Sequence, residues 1–481
     1  MKKFLSVTLS LLLAASMPLS ALAETYDLAQ GSITVEAKAD GNRYVSQTGG
    51  VQQEQQTTET IINQTGSDTT STTNTITIQA EKNQTAQVTI SDVNIDVSGE
   101  GKAAISTGGD GSVTIELDGD NTAKSGIYHA GVEKNNGGNM TITNADGDGA
   151  LEAVGGGRGA GIGGGYEGNG SNITITGNAE VTAKGGGAGI GGGDKGNGSN
   201  ITISGNAKVE ASGVGLAAGI GGGSDGDGSN ITINGNAEVK AVGGSKGAGI
   251  GGGTDRLGSN ITIAGGANVE ATGGDFGAGI GGGFYGRGSD IRIADNANVK
   301  ATGGAHGAGI GGGDNGTGKD VTISTEAQVK VSGGRNGAAI GGGTGGNGEI
   351  TPNTTDLTTG FIGYYAPGAD KSQEAPEKLL HNDGSGAHTH TGVTLKSSTA
   401  ATCLNNATVT YLCSSCGTEI TTELLNTALG HKLGEYTSNN DATCMADGTK
   451  TARCTNPGCT YYVTVADEGT RNPDKHSLSG Y

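Results

Sequence analysis

The chain contains no tryptophan, only four phenylalanines and six prolines in 481 residues. Aromatic residues make up 3% and hydrophobic residues 32%, too little bulk to fill several ordinary globular cores. So few prolines, and no Gly-X-Y register, exclude collagen. No apolar run reaches the roughly 20 residues that a membrane-spanning helix needs, so membrane insertion is not expected. Cations are scarce as well: 29 Lys and Arg face 48 Asp and Glu, a formal charge of −19. Such a polyanion repels phosphate, which argues against any nucleic-acid partner. No cysteine precedes residue 403.

What the chain has in excess is glycine, 97 residues of it, spaced at a fixed interval beside Ile and Val. The string AGIGGG, or a near relative, places its isoleucine at 162, 190, 220, 250, 280, 310 and 340, with weaker copies at Val132 and Ile105. One unit carries three short alternating pieces: Ile173 to Ile175, Ala179 to Ala183, and Ala160 to Ile162. Each is too short and too glycine-flanked for a helix, and each follows the two-residue period of a strand.

Three strands per repeat of about 30 residues describe a parallel β-helix, in which each strand lies on its counterpart one lap earlier, about 4.8 Å away. Equivalent positions then form columns. Ile173, Ile201, Ile231, Ile261, Ile291 and Val321 point inward, as do Val181 to Val329 and Ala179 to Ala327 at the same spacing. Asn178, Asn206 and Asn236 share a turn column suited to stacked amide hydrogen bonds. Outward positions alternate in sign, Glu210, Lys240, Glu270, Lys300 and Glu180, Lys208, Glu238, which favours in-register pairing by about 0.2–1 kcal/mol per pair. About nine laps predict a rod roughly 40 Å long.

The first 23 residues have the layout of a secretory signal peptide: Lys2 and Lys3, an apolar run, then Ala21-Leu22-Ala23. Residues 24–100 are expected to cap the coil, with 45–75 a loose loop; 101–350 form the rod. Residues 351–388 lose the repeat and gain prolines; Phe361, Tyr364 and Tyr365 are candidates to plug the open end, with a linker after them. The GAGIGGG…NITI units resemble Gly-rich tandem repeats of secreted surface proteins from gut-dwelling anaerobic bacteria. The resemblance covers about residues 101 to 350. It implies a pectate-lyase-like β-helix with a carbohydrate-binding or adhesin-like role.

Several motifs suggest chemistry. Gly159, Gly161 and Gly164 satisfy G-x-G-x-x-G, but no helix follows and the pattern recurs every lap, so no dinucleotide site is expected. Acids after each GGG (Glu167, Asp194, Asp225, Asp227, Asp255, Asp314) do not gather the six to eight oxygens calcium takes, and calcium is not expected. No lap departs from the repeat through acidic and basic residues together, as an active site would require. The largest departure is Phe284, Tyr285 and Arg287, with Arg292 nearby and Tyr166 in the matching loop four laps earlier; these five residues are the candidate glycan contacts.

All six cysteines fall in two copies of one pattern within residues 389–481: His390, Cys403, Cys413, Cys416 and His431, Cys444, Cys454, Cys459. The histidine, the first cysteine and the second are each offset by 41 residues between copies. Three Cys and one His per copy suit a closed structural zinc site, giving two zinc ions. Disulfides are the competing reading in an exported chain. His431 and His476 closing the first and second sites is an alternative pairing. CSSCG looks like a zinc knuckle, and the modules resemble ATC…C-x-x-C-G…GH modules of secreted proteins from the same bacteria.

The sequence therefore predicts an all-β chain: a parallel β-helix solenoid, expected right-handed, followed by two small zinc-ribbon-like Cys/His modules. Its expected role is noncatalytic: adhesion or contact with glycans or host and cell-surface components from outside the cell. A polysaccharide lyase or hydrolase on the same scaffold, and a purely structural spacer, are the alternatives.

Overall fold

The computed structural model describes residues 24–471 except 51, 56–59, 68–69, 324–325, 336, 347–359, 365–374, 383–386, 406 and 425–427. The leader, Tyr365 and His476 lie outside the described residues. Apart from one 3-10 turn, Leu28–Gln30, every described element is a strand. The strands stack into three long sheets whose neighbours are one lap apart in sequence, about ten laps of roughly 30 residues. This is the predicted coil.

Registers agree with the columns residue by residue. Ile173 lies on Ile201, Ile201 on Ile231 and Ile231 on Ile261, all fully buried. Val209, Val239 and Val269 stack in the neighbouring sheet at 1–2% exposure, and Ala207, Ala237 and Ala267 are buried beside them. From Val132 to Gly341 the third sheet is a ladder of two-residue strands, Ile190–Gly191, Ile220–Gly221, Ile250–Gly251 and so on. The outward charges pair as their alternation requires: Lys240 Nζ lies 3.8 Å from Glu210 and Lys300 Nζ 2.7 Å from Glu270. The order breaks at the far end, where Lys330 follows Lys300.

Asparagine holds the corners. Asn206 donates to Asn178 at 3.0 Å and Asn236 to Asn206 at 3.2 Å, as read from sequence. A second amide ladder was not anticipated. Asn172, Asn200, Asn230 and Asn260 bond in series at 2.6–3.0 Å, each at a φ between 51° and 56°. These residues look like outward strand positions in N-I-T-I, but the strand kinks there. Asn, with Asp at 290 and 320, tolerates the left-handed conformation that a β-branched residue resists.

The boundaries differ from expectation at both ends. Residues 24–100 supply strands to the same three sheets: Thr85–Ser91 pairs in parallel with Ser112–Asp118, and Thr60–Asn63 with Thr85–Ser91. Among the described strands of this stretch, Arg43–Gln47 and Gln53–Gln55 depart from the coil as antiparallel additions at the edge of one sheet. Thr60–Asn63 also replaces part of the expected loose loop with a strand, because Thr60 and Ile62 are buried.

At the other end Gly360–Tyr364 continues one rod sheet, then Lys378–Asn382 and Ala387–Thr391 extend it antiparallel. Ile362 and Tyr364 belong to the rod core. The first Cys/His module, Val393–Thr399 with Ala407–Cys413 and Glu419–Leu424, shares a second small core with the rod: Leu379 packs with Val393, Val409, Tyr411 and Ile420.

Candidate functional site: a ringed face and two metal clusters

Because the strands of the third sheet from Val132 onward are two residues long, the loops on either side of them meet. In two laps the residue before GAGIGGG touches the residue after it. Arg158 lies over the Tyr166 ring at 4.8 Å, and Phe276 meets Phe284 edge-on at 5.5 Å. Backbone bonds tie the same corners between laps, from Tyr166 to Tyr128 and from Asp314 to Phe276.

Two groups result on one face. The first holds Tyr128 and Tyr166 at 5.7 Å, with Arg158, and with Lys195 donating to Tyr166 Oη at 2.9 Å and pairing with Glu167 at 3.0 Å. Their contact holds the Glu167 carboxyl below its usual range. The second holds Phe284, Tyr285, Phe276 and His306, with Lys246 over Phe284 at 4.7 Å. Four laps at strand spacing put the groups about 20 Å apart. Between them the lap that is two residues short, at Gly185–Gly187, leaves an open cleft of about 430 Å³ flanked by Val214 and Leu216.

Of the five sequence candidates, the structure brings Phe284 and Tyr285 together, places Tyr166 in the other group, and leaves Arg287 exposed in the Tyr285 loop. Arg292 does not join them; it stands in the threonine column of the adjoining sheet, between Thr262 and Thr322. Tyr285 is the informative member. It is 54% exposed and held at a φ of 58°, a conformation glycine and asparagine usually occupy. Tyr128, Arg158, Lys195, Lys246, Phe276 and His306 were missed. Their signal was present: four of them precede the AGI step of their lap.

One lap does depart through acidic and basic residues together, contrary to expectation. Where later laps read GGG, this one reads Glu133-Lys134-Asn135. Glu133 accepts from His129 at 2.7 Å and from Asn135 at 2.9 Å. Lys134 is only 6% exposed and donates to the Asn136 carbonyl at 2.6 Å. Burial pushes its ammonium down to about 8. An unfolded lysine titrates near 10.4, so between those values the unfolded chain holds the extra proton and stability climbs with pH. Melting curves of the parent and Lys134→Met should show the parent gaining on the variant from pH 8 to 10; parallel pH profiles would contradict the burial.

The cysteines regroup. Cys403, His431, Cys454 and Cys459 place their ligand atoms within 4.8 Å of one another, and His390, Cys413 and Cys416 do the same. Cys403 thus belongs to the second site and not to the first, and Cys444 stands in neither described cluster. The sequence grouping failed because the 403–405 loop turns away from its own knuckle: Leu429 donates to Thr402 and Gly430 to Cys403, which brings Cys403 beside His431. The position 41 residues before Cys403 is Ile362, an apolar rod residue, so the first cluster has no equivalent donor.

The donors fit tetrahedral zinc. Cys403 and Cys454 sulfurs are 3.6 Å apart, and each histidine Nδ1 is 3.4 Å from a sulfur, Cys459 or Cys416. A zinc tetrahedron with Zn–S near 2.3 Å has edges of about 3.7 Å. Gly417 at φ 72° closes the Cys413–Cys416 knuckle, while Gly458 at φ 74° lets the longer Cys454–Cys459 turn close as well. Burial pushes the Cys413 thiol up, but hydrogen bonds from Cys416 and His390 outweigh it and hold it at about 6. Cys454 is likewise held at about 6 against burial, by Asn456 N–H, His431, Cys459 and Cys403. Cys459 rises to about 11, first through its bond to Cys403. His431 stacks on Tyr461 at 3.9 Å, which fixes the imidazole plane.

A continuous three-sheet coil followed by Cys/His clusters that could hold a metal defines a parallel β-solenoid repeat protein. Five stretches of the rod, 173–194, 201–224, 231–254, 261–284 and 292–314, match the beta helix repeat family. They fall on consecutive laps and support a β-helix repeat protein. Neither curated proteins nor solved structures give a significant match.

Proposed function

We propose that the chain is an exported, noncatalytic stalk whose ringed face contacts a linear glycan, with two zinc ions stabilising the modules at its end. The observation that carries the glycan reading is the row of exposed and half-buried rings and cations, with Tyr285 held in a costly backbone conformation that presents its ring to solvent. Aromatic faces offer apolar area to sugar C–H groups, while Tyr166 Oη, Lys195, Arg158 and Lys246 offer polar partners at the ring edges. The span between the two groups suits a chain of several sugars better than a single one. Residues 1–23 support export, and the Cys₃His and Cys₂His donor sets support zinc.

A competing lyase reading has one favourable observation, the His129–Glu133 pair beside Tyr128. One experiment separates the readings. The full chain is passed over immobilised plant and host polysaccharides while soluble products are monitored. Retention that falls at least tenfold in Tyr166→Ala/Tyr285→Ala, without product release, is the expected result. Product release abolished by His129→Ala would establish an enzyme. No retention on any polymer would leave a spacer.

A further inference from the structure

The second module, Thr437–Ser438 with Gly448–Arg453 and Tyr462–Asp467, has almost no interior. Among its described residues Ala452 and Cys454 are the buried apolar side chains, and no hydrophobic cluster includes the module. Tyr461, Tyr462, Val465 and Met445 are exposed. Three short strands without a core do not hold a fold in water. Described polar links from it to the first module and to the segment between the modules converge on one place. Asn456 donates to Cys403 Sγ at 3.3 Å and to the Gly430 carbonyl at 2.8 Å, Thr455 N–H donates to the Lys432 carbonyl, and Cys403 faces Cys454.

We propose that the metal held by Cys403, His431, Cys454 and Cys459 is a bridge between modules, in which Cys403 is donated from the first module to complete the knuckle of the second. This rests on the zinc reading above and adds to it the partition of ligands. Cys403 is the ligand that crosses between copies: His390 reaches the first knuckle from the last strand of the rod sheet, and the second knuckle is completed by its own copy's His431 together with Cys403 of the preceding copy. The metal supplies the interior the second module lacks and fixes how it is carried.

The test uses the full chain loaded with Zn(II) under reducing conditions, with zinc counted by native mass spectrometry. Cys403→Ser and Cys459→Ser should each lose the same ion, so Cys403→Ser/Cys459→Ser keeps one zinc while Cys403→Ser/Cys413→Ser keeps none. Cys444→Ser keeps both. The opposite pattern, with Cys403→Ser/Cys459→Ser empty and Cys403→Ser/Cys413→Ser holding one ion, overturns the bridge and leaves zinc binding intact. A wild-type chain without zinc and with fewer than six titratable thiols overturns the zinc reading itself. Trypsin supplies the second readout. Lys432 lies between the modules with its carbonyl bonded to Thr455 N–H and Oγ1. Cleavage after Lys432 should accelerate at least tenfold on chelation or in Cys403→Ser, and remain slow in Cys444→Ser. Equal cleavage rates with and without zinc would also overturn the bridge.

Discussion

Gly251→Ala is expected to destabilise the rod by more than about 4 kcal/mol, among the largest effects of any single methyl group in this chain. The added Cβ would sit 2.0 Å from the Gly281 carbonyl oxygen, and the backbone is held at a φ of 134°. Neither strain can be relieved locally, because Gly251 pairs with Gly281 in a ladder whose next rungs are Gly221 and Gly311. A shift in one lap displaces both neighbours. Gly215→Ala is the control. Its φ is 67°, but nothing lies within 4 Å of the new Cβ, so only the left-handed backbone cost of about 1–2 kcal/mol applies. Urea unfolding followed by circular dichroism checks the pair; equal midpoints for the two variants would refute the close-stacking explanation of the glycine ladder.

Ile231→Ala should cost about 2–5 kcal/mol. Ile231 is fully buried between Ile201 and Ile261, in a core enclosed by three sheets. Neighbouring laps are locked by three sheets at once, so the cavity has little room to collapse, and the upper half of that range is expected. Thr232→Ala, one residue on and facing outward between Thr202 and Thr262, should stay within about 0.5 kcal/mol. A shift in midpoint for Thr232→Ala as large as that for Ile231→Ala would mean the inward and outward columns are misassigned.

The reach of the sequence differs between rod and modules, for reasons visible in particular residues. In a parallel coil the partner of residue i is the residue one lap later, so a tertiary contact such as Glu270 with Lys300 is also a sequence period. The Ile, Val, Ala and Asn178–Asn236 columns were legible for that reason. The Asn172–Asn260 ladder was less so, because the period shows which residues stack but not the φ at which they do. The ringed face was half legible: Tyr166, Phe284 and Tyr285 are departures from the repeat, whereas Arg158 and Phe276 gain meaning only when the two-residue strand folds them against those rings.

At the modules the same logic misled. The 41-residue offset identified the right residue types, yet assigned Cys403 to its own copy, because a period says nothing about which of two antiparallel knuckles a loop approaches. By itself the sequence determined the coil, its length per lap, its inward and outward faces and the cysteine and histidine donor types, since all of these follow from side-chain alternation and periodic identity. Only the tertiary structure decided that Cys403 crosses to His431 and Cys454, that the rod shares a core with the first module through Leu379, and that flanking residues of GAGIGGG form one face. Those outcomes depend on where loops go after the period ends, and that is set by backbone hydrogen bonds and local packing with no repeat to announce them.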